Sequence, residues 1–306
     1  MRLTYAHLSR HPRVFRHMPG LAVAEFDVLV QDLLPVFRAR EQQRLSRPTR
    51  QRAIGGGTPF ALKPREQFLL TVIWLRLYPM HEVLGFLCGV THPTVGRIIK
   101  RGLPLLAAAG RDTMRLPDPG KKHRRTLDAL LADTPELAVI IDTFEQPVQR
   151  PRDRSEADTY YSGKKKQHTH KTQVAVDEMT GHIVDVSATV RGPTADLTLL
   201  KQSRLLERLP ADVGSLGDLA YVGIAGLHPQ GLRATPRRKP RGKPRPPEDV
   251  AYNQAFARRR IVVEHSIGRL RCYQALTQRD RHHRRHTGRV CAVAGLVNRR
   301  LARGCR

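Results

Sequence analysis

The chain has 306 residues, which is enough to bury the core of one large domain or two ordinary ones. Its hydrophobic content of 40% argues against wholesale disorder. Its 54 Lys+Arg against 27 Asp+Glu give a formal net charge of +27. This excess indicates a nucleic acid partner more strongly than a membrane surface or an acidic protein. The charge is uneven, since residues 236–306 carry 20 Lys+Arg and 4 Asp+Glu.

The N-terminus and the cysteines predict a location inside the cell. Residues 1–7 lack an apolar signal region, and no apolar run approaches the length of a membrane span. The four cysteines form no CxxC pair. We therefore expect a cytoplasmic, nucleoid-associated protein with reduced thiols and no membrane partner. A zinc site is an alternative whose spacing matches no standard motif; its candidate ligands are Cys272, His282, His283, His286 and Cys291.

The first part of the chain has helical apolar spacing. A helix over residues 21–34 is expected to end at Pro35, because proline cannot donate the backbone hydrogen bond that continues a helix. Residues 65–78 also have helical spacing, and Pro79 ends it. We predict a helical N-terminal domain over residues 1–120.

Residues 65–103 have the outline of a helix-turn-helix. A short helix over residues 81–88 is followed by Gly89 and Val90, and Thr91 can cap the next helix. That second helix would lie in the major groove of DNA. An ordinary helical hairpin is the alternative. The expected DNA contacts are Thr91, His92, Thr94, Arg97 and Lys100.

From residue 136 the pattern becomes mixed α/β. The expected order is strand, hairpin, helix, strand, basic loop and long helix. This order suits a ribonuclease-H-like sheet in which the first and fourth strands are neighbours. We predict a catalytic domain over residues 121–306 with a basic C-terminal tail. The segments are residues 137–142, 172–177 with 182–190, 196–209, 213–218, 235–247 and 249–273.

Three acidic residues occupy positions that a metal-dependent nuclease would need. Asp142 closes the apolar run, Asp218 ends the later short strand, and Glu264 lies on the long helix. Carboxylates at the ends of buried strands are costly to keep ionised unless a cation offsets the burial. Together they predict a site for Mg²⁺ or Mn²⁺, and two such ions can support displacement at phosphorus. As an alternative, Glu264 is a surface carboxylate paired with the arginines of its own helix.

Basic residues near these acids are expected to hold DNA. Arg260 and Arg271 share a helix face with Glu264, from which they could grip phosphates. Lys164, Lys165 and Lys166 follow a tyrosine pair and could hold the DNA end. A solvated loop is the alternative for these lysines.

Four blocks of sequence resemble bacterial insertion-sequence transposases of the DDE superfamily, in the group related to Harbinger-type endonucleases. The blocks are residues 141–151, 160–169, 216–221 and 260–271. The likeness covers roughly residues 60–275, and the blocks fall in the family's order.

This resemblance implies a ribonuclease-H-like catalytic domain behind a helix-turn-helix. By motif, Asp142, Asp218 and Glu264 are similar to the family's three metal ligands. Arg260 matches the arginine of the family's Tyr-Arg-Glu-Lys signature. Two positions depart from it: Ala257 stands near the tyrosine position, and Arg271 replaces the lysine.

The expected function is therefore a DNA transposase that cleaves transposon ends and joins the 3′-hydroxyl to target DNA with two metal ions. Its expected partners are double-stranded DNA, namely the terminal inverted repeats and the target, and further copies of itself when assembled on DNA. Two alternatives stay open: a DNA-binding regulator on an inactive transposase scaffold, and a metal-dependent endonuclease without strand transfer.

Overall fold

The computed structural model describes residues 2–46, 49, 54, 59–121, 129–229, 231–281 and 284–304. The chain divides into two compact units. The first comprises Met1–Asp112, Cys272–Leu276 and Gly288–Arg306, and the second comprises Thr113–Arg271 and Thr277–Thr287. Residues from Gly288 onward thus lie in the first unit, whereas the sequence analysis assigned them to the catalytic domain. The domain boundary at residue 120 stays a prediction.

The first unit is helical. Its N-terminal part contains helices α1 to α6, which are Tyr5–Leu8, Pro12–His17, Val23–Leu45, Pro64–Leu77, His81–Cys88 and His92–Arg111. None of the helices in the described part of the chain has the length and apolar character that a membrane span requires.

Helix α3 continues through Pro35, so the prediction that it ends there is wrong. Pro35 removes one backbone hydrogen bond, but it lies on the exposed side of the helix, where water can satisfy the freed carbonyl. Beyond it, Phe37 is buried and packs edge-on against Phe68 at 5.7 Å between ring centroids. Tertiary packing of the Phe37 ring therefore outweighs the local tendency of Pro35 to end the helix.

Helices α5 and α6 form where they were predicted. Gly89 ends α5 in the left-handed conformation, with φ of 69°, which glycine adopts without a steric penalty. Gly85 also needs to be glycine, because an added Cβ would approach the Val90 carbonyl oxygen to 2.5 Å. Thr91 is the N-cap residue of α6, but its hydroxyl contacts the Thr94 hydroxyl at 3.0 Å and makes no capping hydrogen bond.

The second unit is built on a mixed sheet. Its strands β1 to β7 are Ala138–Pro147, Tyr161–Ser162, Gln167–Asp177, Ile183–Val186, Val190–Arg191, Gly214–Leu216 and Arg233–Ala234. Strands β2, β3, β1, β6 and β7 are neighbours in that order, and β4 and β5 also pair with β3. Strand β1 runs antiparallel to β3 and parallel to β6. The first and fourth predicted strands are thus neighbours, and the predicted mixed α/β fold class is confirmed.

Helices of the second unit cover this sheet on both faces. Helices α7 to α11 are Arg154–Tyr160, Asp196–Ser203, Leu205–Arg208, Ile224–Leu227 and Pro247–Arg271. Val139 and Ile141 of β1 share one buried cluster with Leu200 and Leu205 of α8 and α9. Because neighbouring strand residues point to opposite faces, Asp142 faces the other side, where α11 packs on β1. The last helix, α12 (His286–Leu301), lies mostly in the first unit.

Two predicted elements of the second unit are each divided into two shorter ones. The helix predicted over residues 196–209 is broken at Arg204, which has φ of 51°. There the Ser203 hydroxyl donates to the Leu200 carbonyl at 2.7 Å and accepts from the Leu205 amide at 3.3 Å, replacing helical hydrogen bonds. The strand predicted over residues 182–190 is two short strands, β4 and β5.

Candidate active site

Asp142 lies within β1, not at its end, so that detail of the prediction is wrong. Strand β1 continues to Pro147 because its antiparallel pairing with β3 extends as far as Pro147 opposite Thr169. The parallel pairing with β6, in contrast, ends at Ile140 opposite Leu216. Asp142 therefore lies where the sheet opens between β1 and β6.

The strand register brings Asp218 to the same level. Asp142 and Asp218 each follow the last paired residues of β1 and β6 by two positions. Asp218 accepts a hydrogen bond from the Ala220 amide at 2.9 Å, which fixes it at the start of a short turn. Its negative charge contributes to raising the pKa of Asp142.

The surroundings of Asp142 disfavour its ionised form. Burial is the main cause that raises the pKa of this carboxyl, and the charges of Asp218 and Asp196 raise it further. Two contacts oppose this effect: the Thr143 amide donates to Oδ1 at 2.7 Å, and Arg260 Nη2 lies 3.4 Å from Oδ2. The pKa of this carboxyl stays above its usual range despite these two contacts, and a bound cation would stabilise the ionised form.

Helix α11 is fixed by a buried ion pair that the sequence analysis missed. The guanidinium of Arg259 donates to both carboxylate oxygens of Glu178, at 2.7 and 2.6 Å, and also to Thr134 Oγ1 and the Pro135 carbonyl. One sequence signal existed, since Arg259 falls in the helical stripe of Val263 and other buried residues.

A second contact fixes α11 further along. The Ser266 hydroxyl donates to the Gly181 carbonyl at 2.9 Å, in the turn between β3 and β4. Glu264 lies between the two anchored positions, Arg259 and Ser266, so its place relative to the sheet is determined on both sides.

Asp142 and Glu264 line one cavity of about 270 Å³. Glu264 is exposed, and Arg271 lies at the same cavity. The cavity is open beside Gly268, because a Cβ added at this residue would meet no atom within 4 Å. Asp218 is not part of the lining, which consists of Asp142, Thr143, Phe144, Glu264, Ile267, Gly268 and Arg271.

The donor atoms suit a hard divalent cation, although they do not converge on one point. Carboxylates from β1, from the end of β6 and from α11 are the oxygen ligands that Mg²⁺ and Mn²⁺ prefer. Among the described residues, no three His, Cys, Asp or Glu side chains are grouped closely enough to hold a metal ion. For the zinc alternative, His282 and His283 lie outside the described residues.

The polar residues of the predicted helix-turn-helix and the three lysines, all predicted to contact DNA, lie at the surface of their units. On α6, His92, Arg97 and Lys100 are exposed, as is Thr91, and Thr94 is partly exposed. Lys164, Lys165 and Lys166 form the exposed connection between β2 and β3, where Lys166 has φ of 52°. Their contacts with DNA stay predictions.

The structure also places a further acid near Asp142 that the sequence analysis did not single out. Asp196, the first residue of α8, accepts hydrogen bonds from Thr143 Oγ1 at 3.1 Å and from Lys171 Nζ at 2.9 Å. Because Lys171 and Asp196 are 25 residues apart, no helical or strand spacing indicates the pair.

Comparisons with known proteins agree with this architecture. Residues 60–112 match the family described as helix-turn-helix of DDE superfamily endonuclease. The chain is 28% identical over 291 residues, 95% of each protein, to a probable transposase for insertion sequence element IS702 from Microchaete diplosiphon. No solved structure matches. Residues 141–298, more than half of the chain, match the family described as DDE superfamily endonuclease, and the chain belongs to that family.

Proposed function

We propose that this protein is a transposase that cleaves phosphodiester bonds at transposon ends and joins the freed 3′-hydroxyl to target DNA. The observation that carries the proposal is the arrangement of three carboxylates. Asp142 and Asp218 stand at one level of adjacent parallel strands, and Glu264 lies across a cavity from Asp142 on an anchored helix. The likeness to a probable transposase along 95% of the chain supports it.

Two displacements at phosphorus would make up the reaction. In the first, water attacks the phosphorus at the transposon end, the bond to the 3′-oxygen breaks, and a 3′-hydroxyl is released. In the second, this 3′-oxygen attacks a target phosphorus, and the target strand's own 3′-oxygen leaves. No covalent protein–DNA intermediate forms, so no serine or tyrosine nucleophile is assigned.

Asp142, Asp218 and Glu264 would hold the divalent ions, Mg²⁺ or Mn²⁺ and two per site. Bound ions of this kind supply charge stabilisation to the attacking and leaving oxygens. Arg260 and Arg271 would contact the phosphates beside the scissile bond. Arg260 is suited to this because its Nε is buried without a hydrogen-bond partner and its contact with Asp142 is long, at 3.4 Å.

DNA would be held at two surfaces. The exposed residues of α6 would read the major groove at the terminal repeats. Lys164, Lys165 and Lys166 would contact the backbone without reading sequence. Joining two transposon ends requires two active sites, so we expect at least two copies of the chain on the DNA.

Cleavage of labelled DNA that carries the element's terminal repeats tests the proposal. With Mg²⁺ we expect nicking at the element boundary, and Asp142→Asn, Asp218→Asn and Glu264→Gln should each reduce it at least about a thousandfold while DNA binding persists. Asp133→Asn, which removes an exposed carboxylate of the same unit, is the matched control. A fully active Glu264→Gln protein would contradict the assignment of the site.

Strand transfer needs a separate assay. A pre-cut transposon end with a free 3′-hydroxyl, incubated with plasmid target, should give joined products. Cleavage without joining would identify an endonuclease that only cuts, and specific end binding with neither reaction would favour the regulator.

A further inference from the structure

We propose that Asp196, Lys171 and Thr143 form a positioning cluster that holds Asp142 in place from the opposite face of the sheet. This inference rests on the proposed function, because it assigns a supporting role to residues that are not among the three proposed metal ligands. Its basis is a set of hydrogen bonds, linked through the side chain and backbone of Thr143, that ends at the carboxylate of Asp142.

These hydrogen bonds begin at Lys171 on β3. Its ammonium donates to Asp196 Oδ1 at 2.9 Å and to the Thr194 carbonyl at 2.6 Å, and it lies 3.9 Å from Glu145 Oε1. The side chains of Lys171 and Asp196 are only 10% and 14% exposed. A pair with so little solvent exposure is kept in one arrangement, because each charge loses much of its hydration and depends on the other.

Thr143 connects this pair to Asp142. Its hydroxyl donates to the same Asp196 Oδ1, at 3.1 Å, while its backbone amide donates to Asp142 Oδ1 at 2.7 Å. Fixing the Thr143 side chain therefore also fixes the amide that orients the carboxylate of Asp142.

Strand geometry places this cluster on the face of the sheet opposite to Asp142 and α11. Consecutive residues of β1 point to opposite faces, so Thr143 points toward α8 whereas Asp142 points toward α11. Lys171 is paired in register with Glu145, which shares the face of Thr143. Asp196 thus acts through Thr143, as a positioning residue, and is not a fourth ligand on the side of Glu264.

Partners behind metal ligands set the orientation of those ligands, and their loss typically costs 10- to 100-fold in metal affinity or activity. We expect Thr143→Val, which removes one hydroxyl and keeps the shape, to weaken Mn²⁺ binding by about tenfold in calorimetry and to lower kcat for DNA cleavage by a similar factor. Thr143→Ser keeps the hydroxyl and should restore both quantities. The melting temperature and the Kd for DNA should change little in either variant.

Thr172→Val is the matched control, because it removes a buried threonine hydroxyl on the neighbouring strand that contacts Thr189, not Asp196. It should leave Mn²⁺ affinity unchanged. Wild-type Mn²⁺ affinity and kcat in Thr143→Val would overturn the positioning role while leaving the transposase proposal intact. A wild-type protein that neither binds Mn²⁺ nor cleaves would overturn both.

Discussion

Arg259 and Arg260 are neighbours on α11, yet they have opposite surroundings. Arg259 is 6% exposed and bonds to both oxygens of Glu178, to Thr134 and to the Pro135 carbonyl. Arg260 is 15% exposed, has one long contact with Asp142, and has an Nε without a partner. A guanidinium with its donors occupied serves the fold, whereas one with donors to spare remains available for a phosphate.

The largest effect on stability is expected at the first of these arginines. Arg259→Met should lower the free energy of unfolding by about 3–5 kcal/mol, because it leaves the Glu178 carboxylate buried without its cation. Arg260→Met should cost no more than about 1 kcal/mol, since its ion pair is long and partly solvated. Urea denaturation of the two variants measures the difference.

For DNA cleavage, the larger effect is expected in Arg260→Met and the smaller one in Arg259→Met. Folded Arg260→Met protein is expected to lose cleavage of terminal-repeat DNA. Any Arg259→Met protein that remains folded should retain more of its kcat, because Arg259 affects the site only through the placement of α11. Equal losses of stability in both variants would show that Arg260 is also a structural residue, which would remove the contrast.

The order of the predicted elements matched a ribonuclease-H-like sheet, and this match predicted that the strands before Asp142 and Asp218 are neighbours, as β1 and β6 are. Helical spacing likewise placed Arg260, Glu264 and Arg271 on one face. What could not be predicted depends on contacts between residues distant in sequence. Arg259 meets Glu178 across 81 positions, and Pro35 stays within a helix because Phe37 packs on Phe68. Local propensity carries no information about such partners.

A smaller effect on stability is expected at Asp142. Because burial raises the pKa of this carboxyl, the folded state binds its proton more tightly than the unfolded state. The favourable contribution is complete below the unfolded pKa, about 3.9 for aspartate, and is lost as the pH rises through the folded value. Asp142→Asn should therefore become more stable than the wild type as the pH rises over this window, with a constant difference above it.

Thermal unfolding in metal-free buffer between pH 3.5 and 8 checks this dependence, and Asp133→Asn controls for the change in net charge. A variant less stable than the wild type at pH 8 would mean that the pairing with Arg260 outweighs the cost of burial. In that case Arg260 would stabilise the fold through an ion pair, as Arg259 does.

The smallest effect is expected at Gly268, on the open side of α11. Gly268→Ala should stabilise the protein by about 0.5–1 kcal/mol, because alanine favours a helix over glycine by this amount and its Cβ would meet no atom within 4 Å. Stability alone therefore gives no reason for glycine here.

If the cavity beside Glu264 receives the DNA backbone, the added methyl group of Gly268→Ala should weaken cleavage even as it raises the melting temperature. Measured together, a higher melting temperature with a higher KM for terminal-repeat DNA would support close approach of the substrate to this turn of the helix. A stabilised variant with unchanged cleavage would instead place the substrate away from Gly268. The DNA would then approach α11 only near Arg260 and Glu264.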